Sequence, residues 1–519
     1  SSEVMRGLCA RVMRAFAWCA LIATSAGWGN GSQVAEAFRS GVSNLTIPRH
    51  SFSQLTFVHA DPSGARGRRL AAHKRRLAIG GSGWGLQGNL HTLGYFSAEV
   101  CIGSPQRKFD LIVDTGSALT ALPCIECSHC GAHKHASSPG MRFSTTASST
   151  AHSVTCSSPP EGMRSCRSCD AGKCGYSVSY TEGSSIRGHL VDDNVWFASS
   201  AGTRLGVRSS FGCQTYESGL FFSQVADGIT GFSQANSYGP TLFDYLKKAT
   251  NCPNIFSMCL SETVGALVLG GTVPANLNAQ WIPYTGGSSY IVDLVDIKIA
   301  GKGIGVSSYA YRSTIVDSGT TFMYLPPAAY RAVRDHWRSN CPWGSCSSRS
   351  TKGEYPDDYC YTSNKEEIWK FAWSTLEFSN GVSVPFGPAK YAYELRHNVW
   401  CLGVFDNEHN GAVIGGANMR HAEVIFDRTH RRIAFVASDC QAMHAGTRGS
   451  VLTGGYGLSG CNSKSAPASA SYSPPPHPHS APPPPHPLPP PPPPKPHPSI
   501  SHPPPPFWKT GPTDGGPHR

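Results

Sequence analysis

The chain has 519 residues, 44 Lys and Arg against 33 Asp and Glu, and a net charge of +11. That length corresponds to about three domain-sized units, but prolines crowd the end after Ser473, which leaves two packed domains plus tails. The basic surplus gathers in one Gly/Ala-rich tract (Arg66, Arg68, Arg69, Lys74, Arg75, Arg76) with the texture of a solvated or processed linker, and no zinc-finger, RNA-recognition or basic-zipper pattern accompanies it. Nucleic acid is excluded as a partner. Nineteen cysteines exclude an ordinary reduced cytosolic enzyme and point to an oxidising compartment.

In chain order, residues 1–30 read as a signal peptide or an N-terminal anchor. Basic residues from Arg11 to Arg14 precede a short apolar run from Ala15 that ends among small residues near Gly27. Asn44-Leu45-Thr46 is a glycosylation sequon, in keeping with secretion. Residues 31–85 read as a prosegment. Short β-rich runs separated by Gly, Ser, Pro and Asn then predict an all-β architecture: Tyr95 to Ile102, Lys108 to Val113, Ser177 to Tyr180, Ala266 to Leu269, Tyr290 to Ile299, Ala412 to Ile414 and Glu423 to Phe426. The one clear helical pattern is Pro327 to Trp337. Residues 441–519 turn Gly/Ser-rich and then Pro-rich, a composition that extends as polyproline II and buries no core.

The strongest signal is an internal duplication. Leu111-Ile112-Val113-Asp114-Thr115-Gly116-Ser117 recurs as Thr314-Ile315-Val316-Asp317-Ser318-Gly319-Thr320. Each copy is followed by an apolar pair ending in glycine, Ile229-Thr230-Gly231 and Val413-Ile414-Gly415. Two related lobes, each presenting one carboxylate to a shared cleft, is the economical inference. Two carboxyls held close cannot both ionise cheaply, so they share a proton; the ionised member takes a proton from water while the protonated one polarises a carbonyl. Gly116 and Gly319 let the chain turn tightly, and Ser117 and Thr320 are placed to hydrogen-bond the outer carboxylate oxygens.

With these motifs the chain resembles the pepsin-like aspartic proteases from about residue 90 to 440, which implies a bilobal fold with the cleft between lobes at 86–280 and 281–440. The resemblance implies catalytic Asp114 and Asp317, support from Thr115, Gly116, Ser117, Ser318, Gly319 and Thr320, and a flap at Tyr180-Thr181-Glu182-Gly183-Ser184-Ser185-Ile186-Arg187-Gly188 whose Tyr180, Glu182, Gly183 and Ser184 meet substrate. Gly183 and Gly188 bracket a hairpin expected to be mobile. Trp281-Ile282-Pro283-Tyr284 looks like the inter-lobe segment. Cys124, Cys127, Cys130, Cys156, Cys166, Cys169 and Cys174 resemble the cysteine-rich insert of nepenthesin-type enzymes. A zinc site with His129, His133 and His135 is the rival there, and disulfides are favoured in an oxidising compartment. Sixteen cysteines lie from Cys101 to Cys440, an even number. No cofactor and no metal are implied.

Glu182 on the flap suits a cationic substrate side chain, best an Arg. Arg68-Arg69-Leu70-Ala71 and Arg75-Arg76-Leu77-Ala78 are near-duplicate Arg-x-Leu tracts upstream of the core. Together they resemble the plasmepsin V type of aspartic protease and its coccidian Golgi counterparts, with Thr181 where the former carries a cysteine. That resemblance implies cleavage of secreted effector proteins after the Leu of Arg-x-Leu for export, Leu70 and Leu77 as self-processing sites, and a monomer in the secretory pathway, in the Golgi or else the endoplasmic reticulum, with or without a membrane anchor. A broad digestive protease and a non-catalytic relative such as the plant xylanase inhibitors are the alternatives.

Overall fold

The computed structural model describes residues 80–449 apart from 91–92, 199–203, 235–237, 275–276, 278, 312, 355–357 and 409. The chain divides into two units, Ser1–Asn462 and Ser463–Arg519; the first contains the whole described fold, and the second lies outside the described residues. So do the signal segment, the sequon and the Arg-x-Leu tracts with Leu70 and Leu77.

Strands dominate. A six-stranded antiparallel sheet runs in the order Gly80–Asn89, Val264–Thr272, Ile255–Leu260, Ala422–Asp427, Arg432–Ala437, Trp281–Thr285. Its two middle strands, one from each half of the chain, are buried at every position. Strands covered on both faces read as continuous apolar runs, as Ile255-Phe256-Ser257-Met258-Cys259-Leu260 does. Phe256 lies directly opposite Phe426 across the join, with ring centroids 4.6 Å apart. Phe243, Phe232 and Tyr290 pack around that pair, and the Tyr290 hydroxyl donates to the Phe232 carbonyl at 2.7 Å. The halves of the chain are therefore joined through a shared aromatic core.

Each half contains one parallel pairing at its motif. Arg107–Asp114 runs beside Gly228–Gly231 with Asp114 opposite Gly231, and Thr314–Val316 beside Val413–Ile414 with Val316 opposite Ile414. Parallel neighbours need a long crossover, which is why each apolar-apolar-Gly element stands far from its aspartate in sequence yet beside it in space. The turn after Asp114 is tied down by the Phe232 amide donating to the Asp114 carbonyl at 2.6 Å, and Asp317 by its own amide donating to the Ile414 carbonyl at 3.0 Å.

Some local expectations change. The run Tyr290 to Ile299 breaks at Asp293 into Ile291–Val292 and Leu294–Ile299, which pair with different partners. The Ser177 to Tyr180 strand lies within Lys173–Ser179 and stops short of Tyr180, which opens the turn. The helix Pro327–Ser339 is present, and two more helices were not anticipated. Leu242–Thr250 starts at a capping box between Thr241 and Asp244. Cys440–Gly449 continues past residue 440, held by the Cys259–Cys440 disulfide and a 2.7 Å contact from His444 Nδ1 to the Gly265 carbonyl.

Seven disulfides join core cysteines: Cys124–Cys213, Cys127–Cys130, Cys156–Cys169, Cys166–Cys174, Cys259–Cys440, Cys341–Cys346 and Cys360–Cys401. The even count does not close on itself, however. Cys252 is free, and Cys101 is disulfide-bonded outside these seven pairs. Among the described residues no helix is long and apolar enough to cross a membrane.

Candidate active site

The two duplicated turns meet face to face. Thr115 Oγ1 donates to the Val316 carbonyl at 3.0 Å and accepts the Ser318 amide at 2.9 Å. Ser318 Oγ returns the pattern, donating to the Val113 carbonyl at 2.7 Å and accepting the Thr115 amide at 3.1 Å. These four buried bonds explain why a hydroxyl residue follows each aspartate: each hydroxyl satisfies one donor and one acceptor of the opposite turn, where a bare backbone would leave them unpaired. The cross-lobe direction of this bonding was not legible from the motif.

Within each turn the carboxylate is gripped locally. Asp114 accepts the Gly116 amide on Oδ1 at 2.7 Å and the Ser117 hydroxyl on Oδ2; Asp317 accepts the Gly319 amide on Oδ1 at 2.9 Å and the Thr320 hydroxyl on Oδ2 at 2.6 Å. The glycines matter across the join as well as within the turn. A Cβ on Gly116 would come to 2.6 Å from the Asp317 carboxylate, and one on Gly319 would run into Asp114. Each glycine thus leaves the opposite carboxylate room to approach its partner.

Over the first turn hangs the hairpin of Lys173–Ser179 and Ser185–Ala198. Its tip closes with the Tyr180 amide donating to the Ser184 carbonyl at 2.9 Å and the Gly183 amide to the Tyr180 carbonyl at 3.0 Å. Gly183 takes φ +93 with open space around it, as a tight tip requires. Gly188 serves another purpose than mobility. It sits in a paired strand at a register shift, and a side chain there would strike the Cys213 carbonyl. Tyr180 lies on the Phe221 ring, centroids 4.8 Å apart, and its buried hydroxyl faces Ser117. Glu182 is exposed at the tip, and its charge reaches the phenol of Tyr324 in the second half of the chain, adding to the rise that burial imposes there. Ser184 turns inward: its Oγ accepts the Leu220 amide at 2.9 Å, so it anchors the flap.

Models for the xylanase inhibitor N-terminal and C-terminal domains match residues 96–271 and 289–437. The chain belongs to the pepsin-like aspartic protease family. It is 26% identical over 411 residues to aspartic protease 5 of Toxoplasma gondii, covering 68% of this chain and 37% of that one. To plasmepsin V of Plasmodium falciparum it is 25% identical over 439 residues, covering 68% and 73%. To aspartyl protease family protein 1 of Arabidopsis thaliana it is 29% identical over 398 residues, covering 72% and 73%.

As a pepsin-like aspartic protease it is an aspartic-type endopeptidase, and the acid–base state of its pair of carboxyls follows from their surroundings. Burial pushes the Asp114 carboxyl well above the usual range; the charge of Asp317 and a hydrogen bond to it push further, against the opposing pull of Ser117 and Gly116. The pair is best treated as one acid with a shared proton. Tyr180 is likewise raised, first by burial and then by Asp114 and Glu182, so its phenol stays protonated as a donor.

The zinc rival in the insert fails on geometry. Cys127 and Cys130 are bonded to each other and Cys124 to Cys213. The one metal-like grouping among the described residues, Cys124, Glu126 and Cys213, contains that second disulfide. Two features had little or no signal in the sequence. Phe221, the seat of Tyr180, was signalled only by the apolar Leu220-Phe221-Phe222 after Gly219. The carboxylates Glu217 and Asp227, which receive His133 and His135, had no local signature.

Proposed function

We propose that Asp114 and Asp317 activate a water between them for attack on a peptide carbonyl, and that this endopeptidase cuts secreted proteins after the Leu of Arg-x-Leu sites. The shared proton sets the roles. The ionised carboxylate removes a proton from water as it attacks, and the protonated carboxyl donates to the carbonyl oxygen as charge develops there. Thr115 and Ser318 hold the turns in register, while Ser117 and Thr320 orient the outer oxygens.

The observation that carries the Arg preference is Glu182, an exposed carboxylate at the flap tip two residues from Tyr180. An Arg side chain lying along the cleft would meet it through a bidentate pair, which a Lys cannot form. Thr181 and Gly183 flank it, and Ser184 anchors the tip that carries it by accepting the Leu220 amide. The likeness to plasmepsin V and aspartic protease 5 supports the same reading, as do seven disulfides that suit the secretory pathway, with the Golgi as the favoured station. Leu70 and Leu77 would then be sites of self-processing, and a role in protein export follows from the same specificity.

The test is cleavage of an Arg-Arg-Leu-Ala-Glu peptide by the purified full chain, with an Arg-to-Lys peptide and the Asp114→Ala enzyme as controls. Cutting after Leu that needs both the Arg and Asp114 supports the proposal. Indifference to the peptide combined with degradation of denatured globin at acid pH replaces it with a broad digestive specificity. For self-processing, the variant with Leu70→Ala and Leu77→Ala should remain unprocessed, and normal maturation of it would refute that step.

A further inference from the structure

Beside the flap lies a buried acid–base pair that the chemistry above does not use. The side chains of His133 and Glu217 are 0% and 1% exposed, with Nε2 and Oε2 3.0 Å apart. His133 Nδ1 is 2.9 Å from the Gln224 carbonyl oxygen. A carbonyl only accepts, so Nδ1 carries a hydrogen. Nε2 faces a carboxylate oxygen that also accepts the Gly131 amide at 3.0 Å. One further proton therefore sits between ring and carboxyl, as imidazolium against carboxylate or imidazole against carboxylic acid. Without it, two lone pairs face each other out of reach of solvent.

What this pair joins gives it a role. Gln224 belongs to a strap, residues 219–227, that leads from strand Arg204–Ser218 to strand Gly228–Gly231. The insert fastens the strap's outer side through His133 to Gln224, through the Lys134 amide donating to the Val225 carbonyl at 2.8 Å, and through Gly131, where a Cβ would strike the Phe222 carbonyl. The inner side carries the flap, by the Leu220 amide on Ser184 Oγ and the Phe221 ring under Tyr180. Glu217 adjoins Ser218, whose Oγ accepts the Ser185 amide at 3.0 Å at the flap's second strand. The shared proton thus touches both supports of the flap.

We propose that His133 is a positioning residue whose proton, shared with Glu217, locks the strap under Tyr180 and makes flap placement, and with it turnover, respond to pH. The other charged groups packed around the pair are committed elsewhere. Asp227 accepts His135 Nδ1 at 2.8 Å and the Asp110, His135 and Ala136 amides at 2.7 Å. His129 Nδ1 meets the Glu217 carbonyl at 2.8 Å, and Arg142 donates to the carbonyls of Cys127, Cys130 and Gly131. Lys134 pairs with Asp110, and Tyr176 faces Glu217 as a neutral phenol raised by burial. Burial by itself would lower the His133 pKa, but the hydrogen bond and charge of Glu217, with Gln224 and Asp227 adding, leave it raised. The sign follows: the lock is complete below the ordinary histidine value of about 6.5 and is lost as pH rises through the raised folded value.

The experiment compares kcat/KM of the full chain with those of His133→Gln and Glu217→Gln, from about pH 5.5 to about pH 8.5. The substrate is whichever of the Arg-Arg-Leu-Ala-Glu peptide and denatured globin the wild-type chain cleaves, so the outcome is independent of any Arg preference. Taking the ratio of wild type to variant cancels the titration of the aspartate pair, which all three proteins share. The ratio for His133→Gln should be about tenfold at the acid end and fall to one or below at the alkaline end. A ratio constant with pH would overturn the proposal, since a merely structural histidine lowers activity equally throughout. Should His133→Gln fail to fold, Glu217→Gln decides. Its amide can donate to a neutral imidazole Nε2 with loss of the Gly131 amide bond at every pH, so its profile should lack the alkaline loss beyond that of the aspartate pair; a profile parallel to wild type overturns the proposal. Melting temperature against pH gives a readout free of activity, with the wild-type advantage over His133→Gln expected to shrink above about pH 6.5.

Discussion

At Asp114 the carboxylate accepts a glycine amide and a serine hydroxyl; at Asp317 it accepts a glycine amide and a threonine hydroxyl in the same positions. Asp114 is nevertheless only 5% exposed while Asp317 is half-buried. The flap, the strap and the disulfide-laced insert all lie between Asp114 and Asp227, in the first half of the chain, and Tyr180 faces Ser117 and Asp114. Two near-identical turns thus hold unequally covered carboxyls, and the cover bears on the proton the pair shares, because the charge on a buried group depends on everything packed over it and not only on the groups it bonds. Duplication supplied the symmetric grip, and the first half of the chain supplied the burial that raises Asp114.

The largest expected effect tests whether the inequality extends to need. Asp114→Asn and Asp317→Asn should each cost at least about a thousandfold in kcat/KM, since either removes half of one acid–base unit. Appreciable residual turnover in one of them, with intact circular dichroism, would mean that the pair does not act together. Next comes the cross-lobe lattice. Thr115→Val strands the buried Ser318 amide and Val316 carbonyl and should destabilise the protein by about 3 kcal/mol in urea unfolding. Ser318→Ala should cost a similar amount. The double variant should cost less than the sum, because both lose bonds of one network; strict additivity would show that the bonds act separately.

Smaller effects sharpen the contrast. Glu182→Gln should raise KM for the Arg-Arg-Leu-Ala-Glu peptide by about tenfold while leaving the Arg-to-Lys peptide nearly unchanged. Equal loss on both peptides would reduce Glu182 to a general flap charge. The smallest is a stability effect of the raised Asp114 carboxyl. Asp114 holds its proton more tightly folded than unfolded, so the native state loses stability as pH rises from about 4 through the raised value. Asn does not titrate. The melting temperature of Asp114→Asn should therefore exceed that of wild type at neutral pH, with the gap closing toward about pH 4; a gap of the same size at both ends would remove that rise.

Several features were determined by the sequence alone. The duplicated Asp-(Thr/Ser)-Gly-(Ser/Thr) turns and the short β-rich runs specify two related β halves with a carboxylate in each, because local propensity and motif chemistry act within a few residues of each other. The Tyr95–Ile102 strand and the Pro327 helix start were legible for the same reason. Only the tertiary structure decided that Thr115 and Ser318 bond across the join and not within their own turns, that Gly116 and Gly319 clear space for the opposite carboxylate, and that Cys252 stays unpaired. It also decided that His133 meets Glu217 and Gln224, residues 84 and 91 positions away. Contacts of that kind depend on how a long chain closes over itself, and a pattern read along the backbone carries no record of which distant residue will fill the space.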